Sequence, residues 1–347
     1  MDSAIWITSG WTMIIISDCL TDNTDEGTIK IASKIARLLK KKNQAEIFEL
    51  NKTSSFSDKT FTVGKSGISR KLLTELSKKK GNVLYIPNAS MTLNTCLRVC
   101  ILSVLSRKKV FLLPVYRRKV NKKMRMLLAM SKAEIIALSE ESFRVYKGCL
   151  PNKVHYVKAG VDTVQFTEIE SKQRKTLREK FGYSDTDTIV LHTGHMVEAR
   201  NIRKLMDLDK SFRIILIIST STRWDENLYN DLKQCPNIKI IHKYIPKIEE
   251  YFQIADVYYF PVEEVGCVDV PLSVLEAAAC GTPVVTTPYG ELKAFKETKS
   301  FRFINDFAES NFLIESVKEC RENNNRNQIL EYDWNHVVER LCSIMRE

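Results

Sequence analysis

The sequence predicts an α/β protein of two domains with parallel sheets, and three observations support this prediction. A chain of 347 residues is too long for one ordinary hydrophobic core. Short apolar runs rich in β-branched residues alternate with amphipathic stretches from one end of the chain to the other. Strands of this nearly continuous apolar character are typical of parallel sheets that helices cover on both faces. The alternation forms two successive series, each of which predicts a Rossmann-like domain.

The first series begins with an apolar strand near the start of the chain. A helix is predicted at 28–42, where Ile31, Ile35 and Leu38 form one face and lysines the other. The predicted strands of this half lie at 13–17, 46–50, 82–86, 110–113, 134–138 and 154–157.

The second series repeats this order after a polar stretch at 163–187. Helices are predicted at 247–255 and 272–280. A further helix follows the series, with Asp333 as its N-cap and Val337, Val338 and Leu341 on its apolar face. The predicted strands lie at 188–193, 213–219, 238–242, 257–260, 284–286 and 301–304.

The composition excludes several classes of protein. Twelve Gly and nine Pro are too few for a collagen-like or low-complexity chain. Nine scattered Cys without a Cys-x-x-Cys pair suit a reducing cytosol, and the five His lack the spacing of metal ligands. No apolar run approaches the ~20 residues that span a bilayer, and no basic residue precedes Lys30 as in a signal peptide. We therefore expect a cytoplasmic protein without a metal.

The charge is distributed unevenly between the two halves. Residues 1–165 carry 29 Lys and Arg against 13 Asp and Glu, a net charge of +16, whereas residues 166–347 carry a net charge of −5. This difference suggests that the first half contacts an anionic partner. A helix predicted at 117–132 combines seven cationic residues with Met124, Leu127, Leu128 and Met130. Such a helix suits an anionic membrane surface, or equally a core helix whose basic side faces water.

One segment of the second half, residues 269–286, combines a helix with polar side chains. Pro271 suits the first turn of a helix and Gly281 suits the residue after its end. Ligands of open α/β sheets lie beyond the carboxyl ends of strands, where a helix N-terminus favours phosphate. Glu276 falls in an apolar setting where an unpaired carboxylate is costly. It either makes an internal hydrogen bond or receives the hydroxyl groups of a bound sugar.

A second segment follows the first strand of the second series. Gly194 comes directly after that strand, where a glycine lets the backbone approach a ligand, and Arg200 is expected near the start of the next helix. A guanidinium there can bind a diphosphate bidentately. The alternative is an ordinary turn with a solvated arginine. Both segments follow strands of one sheet, which favours a shared site.

These segments resemble the family 4 glycosyltransferases, which are retaining nucleotide-sugar enzymes of the GT-B fold. The Gly-Arg-x-x-x-x-Lys-Asn/Gly turn of that family is matched by Gly194-His195 with Arg200-Asn201. The family's Glu-rich helix with Ala-Cys-Gly-Thr-Pro-Val-Val is matched by residues 275–284, and its Gly-Val-Asp-x-x-x-Phe linker by residues 160–166. Its Ala-Asp-Val before a strand is matched by residues 255–257, and its aromatic residue near the last helix by Trp334. The matches cover about residues 155–345, and the helix motif is the most specific of them.

The resemblance implies an architecture and three domain ranges. Two Rossmann-like domains would face each other across a cleft, and a C-terminal helix would return to the first domain. Residues 1–165 would form the acceptor domain, residues 166–330 the donor domain, and residues 331–347 the returning helix.

The resemblance also implies roles for individual residues. Arg200, Glu276 and Asp269 are the expected catalytic residues, with Glu276 on the ribose of the donor and Asp269 on its sugar hydroxyls. In the first half, Glu26, Gly27 and Thr28 resemble the family's Gly-rich acceptor loop. The expected donor-binding residues are Gly194, His195, Arg200, Ser273, Val274 and Glu276.

Two positions depart from the family pattern. Val268 stands where the family has its first Glu, and His195 stands where it has Arg. We expect a retaining hexosyltransferase that moves a sugar from a UDP- or GDP-linked donor to a glycan or lipid-linked acceptor, without a cofactor or metal. It could work on the cytoplasmic face of a membrane. The alternatives are a non-catalytic nucleotide-sugar-binding subunit and a protein that binds or modifies nucleic acid. Against the second, the basic segments between Arg107 and Arg125 are interleaved with aliphatic residues, and the only aromatic residues there are Phe111 and Tyr116.

Overall fold

The chain forms two compact α/β units, each with its own parallel sheet. The computed structural model describes residues 12–23, 25–64, 66–220, 224–262, 270–288, 290–296, 298, 301–304 and 326–347. The first unit comprises Met1–Thr24, Thr28–Ala159 and Asn335–Glu347, and the second comprises Asp25–Gly27 and Gly160–Trp334. The C-terminal segment therefore returns to the first unit.

The first unit is built on a seven-stranded parallel sheet with the strand order β3-β2-β1-β4-β5-β6-β7. Its central strand β1 is buried along its whole length because Met-Ile-Ile-Ile-Ser is apolar on both faces. The strands are β1 (Met13–Ser17), β2 (Ala45–Leu50), β3 (Lys59–Phe61), β4 (Val83–Ile86), β5 (Val110–Leu112), β6 (Glu134–Ala137) and β7 (Val154–Tyr156). The helices are α1 (Gly27–Lys41), α2 (Arg70–Lys78), α3 (Leu93–Ser106), α4 (Lys122–Ser131) and α5 (Glu140–Cys149).

The second unit contains a six-stranded parallel sheet with the order β10-β9-β8-β11-β12-β13. Its strands are β8 (Ile189–Gly194), β9 (Arg213–Ile218), β10 (Ile238–Ile241), β11 (Val257–Phe260), β12 (Val284–Thr286) and β13 (Phe301–Phe303). Its helices are α6 (Ser171–Phe181), α7 (Glu226–Lys233), α8 (Glu249–Ile254), α9 (Leu272–Ala279) and α10 (Arg326–Leu330).

The last helix, α11 (Trp334–Arg346), starts directly after Asp333, as expected. Val337, Val338, Leu341 and Met345 are all buried, so the predicted apolar face of this helix is confirmed. The helix is tied to the first unit at its end, where Asn82 Nδ2 donates to the Met345 carbonyl at 2.6 Å.

The linker motif Gly160–Phe166 has a structural role within the second unit. Asp162 Oδ1 accepts from the amides of Val164 and Gln165 at 3.3 and 3.1 Å, which closes a turn. Phe166 is buried and packs edge-on against Phe252, with ring centroids 5.8 Å apart. This motif therefore shapes the chain that leads into the second sheet.

Three expectations about elements were wrong. The helix predicted at 117–132 begins only at Lys122, because Asn121 caps it and its Oδ1 accepts from the Met124 amide at 3.0 Å. The edge strand β3 was missed, since Lys-Thr-Phe is too short and polar to show an apolar run. After β8 the chain makes two 3₁₀ turns, Glu198–Arg200 and Ile202–Leu205, because Asn201 between them has a left-handed φ of 54°.

A candidate donor site at the switch point of the second sheet

The strand order of the second unit fixes where a ligand can bind. The sheet is wound in opposite directions from the neighbouring strands β8 and β11. In open parallel sheets this reversal leaves a crevice at the carboxyl ends of the two strands. Gly194 ends β8, and α9 follows β11. The two segments that the sequence singled out therefore lie at the same edge of the sheet, on either side of the switch point.

The turn after β8 is held to the sheet by backbone hydrogen bonds. The Ser219 amide donates to the Gly194 carbonyl at 3.0 Å, and the Asp225 amide donates to the Met196 carbonyl at 2.8 Å. Arg200 ends the first 3₁₀ turn, with its amide donating to the Val197 carbonyl at 3.0 Å. Because an α-helix does not start here, any positive potential in this turn comes from side chains rather than from a helix dipole.

His195 and Arg200 are the basic side chains of this turn, and both are half-buried. Burial and the neighbouring Arg200 cation lower the pKa of His195, while the carboxylates of Glu26 and Asp25 act in the opposite direction. The free protein therefore favours the neutral imidazole, and an anion bound beside it would favour uptake of a proton.

Helix α9 contributes the other half of the site. Seven of its eight residues are buried, and Gly281 lies just past its end, as the sequence predicted, with a left-handed φ of 71°. Ser273 is half-exposed in the first turn, where helical N–H groups have no intrahelical partner. Val274 differs, since its side chain is fully buried and its amide donates to the Pro271 carbonyl at 3.1 Å. Glu276 is 4% exposed, and its charge helps to raise the pKa of Tyr258.

Tyr258 joins the two halves of the site. This fully buried residue of β11 shares a hydrogen bond with the Thr193 hydroxyl at 3.0 Å, and Ser273 of α9 also hydrogen-bonds its hydroxyl. Burial is the main reason that the pKa of Tyr258 rises to about 12, so the phenol stays protonated. The sequence analysis missed Tyr258, because a tyrosine inside an apolar strand resembles an ordinary core residue.

A second residue that the sequence analysis missed is His192, which lies under the turn. Its ring is fully buried and stacks on Tyr258 and Phe260. Its Nδ1 lies 2.8 Å from the Tyr259 carbonyl, which can only accept, so Nδ1 carries the proton. Burial lowers the pKa of His192 to about 4 and keeps the ring neutral. Its Nε2 lies 3.4 Å from the position that a Cβ on residue 194 would take, so a glycine fits closely there.

An aromatic cluster lies at the same edge of the sheet. Trp224 follows β9 and stacks on Tyr229 with a centroid distance of 4.9 Å. His242 follows β10, is exposed, and lies 4.2 Å from the Trp224 ring. The amide of Asp225, next to Trp224, donates a hydrogen bond to the Met196 carbonyl in the turn after β8. The cluster therefore lies beside the turn that carries His195, a proximity that the sequence does not reveal.

The remaining predicted residues fall elsewhere. Asp269 and Val268 lie outside the described residues. Gly27 and Thr28 begin α1, and Glu26 clusters with the second unit, where its charge acts on His195.

Asp256 of the Ala-Asp-Val motif has a structural role. It accepts from Arg174, from Arg178 and from the Ile189 amide at 2.8, 2.6 and 2.7 Å, and it is buried with Arg178. This motif therefore anchors α6 to the start of β8 rather than contacting the candidate site.

No three His, Cys, Asp or Glu side chains in the described part of the chain group as metal ligands. None of the helices described here is long and apolar enough to cross a membrane.

Comparisons with known proteins agree with this geometry. Residues 189–319, which begin at β8, match the family model of the group 1 glycosyl transferases. HepE from Anabaena, solved with UDP and glucose, is similar over 96% of this chain and 99% of its own, with a TM-score of 0.70 and 13% identity. A glycosyltransferase from Rickettsia africae is similar over 97% and 98%, with a TM-score of 0.75 and 12% identity. WaaG, a glycosyltransferase involved in lipopolysaccharide biosynthesis, is similar over 96% and 99%, with a TM-score of 0.67 and 12% identity. No curated protein sequence matches the chain.

The two parallel sheets and these likenesses define a protein of the GT-B fold, as the sequence predicted. The expected resemblance to the group 1 glycosyl transferases is confirmed for residues 189–319, which form most of the second unit.

Proposed function

We propose that this protein is a retaining glycosyltransferase that takes a hexose from a UDP- or GDP-linked donor. The observation that carries the proposal is the meeting of the His195–Arg200 turn with the start of α9 at one switch point, joined through Tyr258. HepE, which was solved with UDP and glucose, supports a nucleotide-sugar donor. The retaining outcome rests on the sequence resemblance.

Departure of the nucleoside diphosphate is the step that these residues would assist. Negative charge grows on the leaving oxygens, and cations fixed there beforehand lower the barrier. Arg200 would bind the diphosphate, His195 would donate a second hydrogen bond once protonated, and the first-turn amides of α9 would face the same charge. These groups supply positive charge without a metal ion.

The nucleoside and the transferred sugar would bind on opposite sides of the diphosphate. Glu276 would accept hydrogen bonds from the ribose hydroxyls, and Asp269 from the sugar hydroxyls. The exposed ring of His242, backed by Trp224, would offer a stacking surface for the base. Gly194 and Ser273 would lie nearest the phosphates, whereas the buried Val274 would support the helix from the core side.

The acceptor would be a glycan or a lipid-linked sugar that the first unit binds, with Glu26, Gly27 and Thr28 nearby. The net charge of +16 on residues 1–165 favours an anionic acceptor or surface. WaaG acts in lipopolysaccharide biosynthesis, which fits work on a membrane-bound substrate. We place the protein in the cytoplasm and peripherally on the cytoplasmic membrane face.

Binding and turnover of UDP-glucose, GDP-mannose and ADP-glucose by the purified chain test this proposal. Arg200→Ala should lower donor turnover 100- to 1000-fold, which corresponds to a loss of ~2.7–4 kcal/mol, because a charge-assisted contact to the leaving group is lost. Arg203→Ala is the matched control, since Arg203 lies three residues further on and pairs with Glu198 and Asp231 instead. Donor binding without any turnover would instead indicate a non-catalytic nucleotide-sugar-binding subunit. Equal activity of both variants would show that Arg200 does not bind the diphosphate.

A further inference from the structure

The first unit carries an exposed apolar surface that extends beyond the helix predicted at 117–132, because it also includes helix α3. Helices α3 and α4 bury their inner sides in the same core cluster, through residues such as Val99 and Leu128. Their outer sides therefore face solvent on the same side of the sheet. Six of the nine exposed large hydrophobic side chains among the described residues lie on these two helices, each 42–61% exposed: Leu93, Leu97, Val104, Leu105, Met126 and Met130.

The spacing of these residues makes a continuous stripe on each helix. Leu93, Leu97 and Val104 follow one another at intervals of four and seven residues, and Met126 and Met130 are four residues apart. Residues at such intervals share one face of a helix. The two helices lie side by side, and the Ser103 hydroxyl donates to the Ser131 carbonyl near their C-terminal ends. We call this surface the α3–α4 face.

The α3–α4 face is surrounded by positive charge. Between Glu75 and Glu134 the chain contains 14 Lys and Arg and not one Asp or Glu. Some of these cations are paired, as Arg98 is with Asp18 and Lys109 with Glu134. Five exposed ones have no ion pair with any described residue, and they lie on or beside the two helices: Arg107, Lys122, Lys123, Arg125 and Lys132.

We propose that the α3–α4 face docks the protein on an anionic lipid bilayer. Aliphatic and thioether side chains would enter the boundary between headgroups and acyl chains, while the surrounding cations meet lipid phosphates. A second copy of this chain is a poor occupant because it would bring the same positive charge. Nucleic acid is a poor occupant because neither helix contains an aromatic residue on which bases could stack. This docking surface rests on the peripheral membrane location proposed above but not on the donor chemistry, so vesicle binding and donor turnover can fail separately.

Sedimentation with vesicles tests the proposal. The full chain should pellet with vesicles of phosphatidylglycerol and phosphatidylcholine, and remain in solution with phosphatidylcholine alone. Lys122→Glu, Lys123→Glu and Arg125→Glu combined should weaken binding at least ~100-fold, since each basic residue near an anionic leaflet contributes roughly a factor of five. The matched control reverses three exposed lysines of the second unit, Lys172, Lys175 and Lys233, and should bind as the unmodified chain does.

A second pair of variants tests the apolar contribution separately. Met126→Gln with Met130→Gln keeps every charge and should weaken binding about tenfold, whereas Val164→Asn, at an 82% exposed site of the second unit, should not. All of these sites are exposed, so the variants should fold, and donor turnover in solution should stay normal even where vesicle binding is lost.

Four results would overturn the proposal. The first is no binding to anionic vesicles at low salt, and the second is equal binding by the charge-reversed and control variants. The third is unchanged binding by Met126→Gln with Met130→Gln, which would mean that the apolar stripe does not enter the bilayer. The fourth is that the protein does not bind vesicles but instead dimerises through Met126 and Met130, or retards an RNA oligomer in a gel-shift experiment.

Discussion

The surroundings of His195 change the acid–base chemistry of its imidazole. In the free protein its pKa is lowered, because the ring is half-buried beside the Arg200 cation. A diphosphate bound at the same turn would raise that pKa, so donor binding would be coupled to uptake of a proton. Donor affinity should then be highest at low pH. It should fall as the pH rises from the lowered pKa of the free protein through the raised pKa of the complex.

Isothermal titration between pH 5 and 8 checks this prediction, and buffers of different ionisation enthalpy would reveal the proton directly. His195→Arg should bind the donor with an affinity that is nearly constant over this range, because a guanidinium stays charged. An affinity of the unmodified protein that does not change with pH would show that His195 makes no contact with the phosphates.

A substitution of Glu276 shows whether the buried carboxylate of α9 binds the ligand or stabilises the fold. Glu276→Gln keeps the shape of the side chain and removes its charge. If the carboxylate accepts hydrogen bonds from ribose hydroxyls, the donor KM should rise about 10- to 100-fold, the range expected for hydrogen bonds to a charged group. Steady-state kinetics together with thermal unfolding separate the two roles. An unchanged KM with a lowered unfolding temperature would assign Glu276 to the fold alone.

At the scale of elements, the end of α9 shows why a glycine is required there. Gly281 has a φ of 71°, and a Cβ on it would lie 2.6 Å from Glu168 side-chain atoms. Gly281→Ala should therefore destabilise the second unit by about 1–2 kcal/mol. Gly148, in the last turn of α5, has open space where a Cβ would lie, so Gly148→Ala should stabilise the first unit by about 0.4–1 kcal/mol. Urea unfolding of both variants measures these opposite effects. Equal changes in the free energy of unfolding of the two variants would show that the left-handed turn at Gly281 bears no strain.

The same elements show how far the sequence could predict the structure. Buried strands such as β1 and β11 were located to the residue, because a continuous apolar run has few alternatives in a parallel sheet. The start of α4 was predicted five residues too early, since Arg117–Lys119 have acceptable helix propensities, whereas the Asn121 cap starts the helix only at Lys122.

The candidate site could be predicted only where it depends on local pattern. Gly194, Arg200 and Glu276 follow from their positions after strands or within a helix. Tyr258, His192 and the Trp224–His242 pair depend on contacts between residues that are 18 to 67 positions apart in sequence. The spacing of one segment carries no information about such contacts.

At the scale of the whole molecule, the chain completes its first unit only after it has built the second. Asn335–Glu347 belong to the first unit, where the Arg346 guanidinium donates to Gln44 Oε1 at 2.9 Å and Lys42 pairs with Glu339 at 3.3 Å. The candidate donor site, by contrast, lies entirely in the second unit. Stability of the first unit and affinity for the donor should therefore respond to different substitutions.

Leu341 provides the test, because its side chain is fully buried in α11. Leu341→Ala should lower the free energy of unfolding of the first unit by about 2–5 kcal/mol, since it removes buried methyl groups and leaves a cavity. The affinity of the folded protein for a nucleotide-sugar should stay the same. Glu339→Gln, on the exposed side of the same helix, should change stability by less than about 1 kcal/mol, because surface ion pairs contribute little. Calorimetry with and without UDP-glucose measures both quantities. A Leu341→Ala variant that stays folded yet binds the donor much more weakly would mean that the returning helix also supports the donor site.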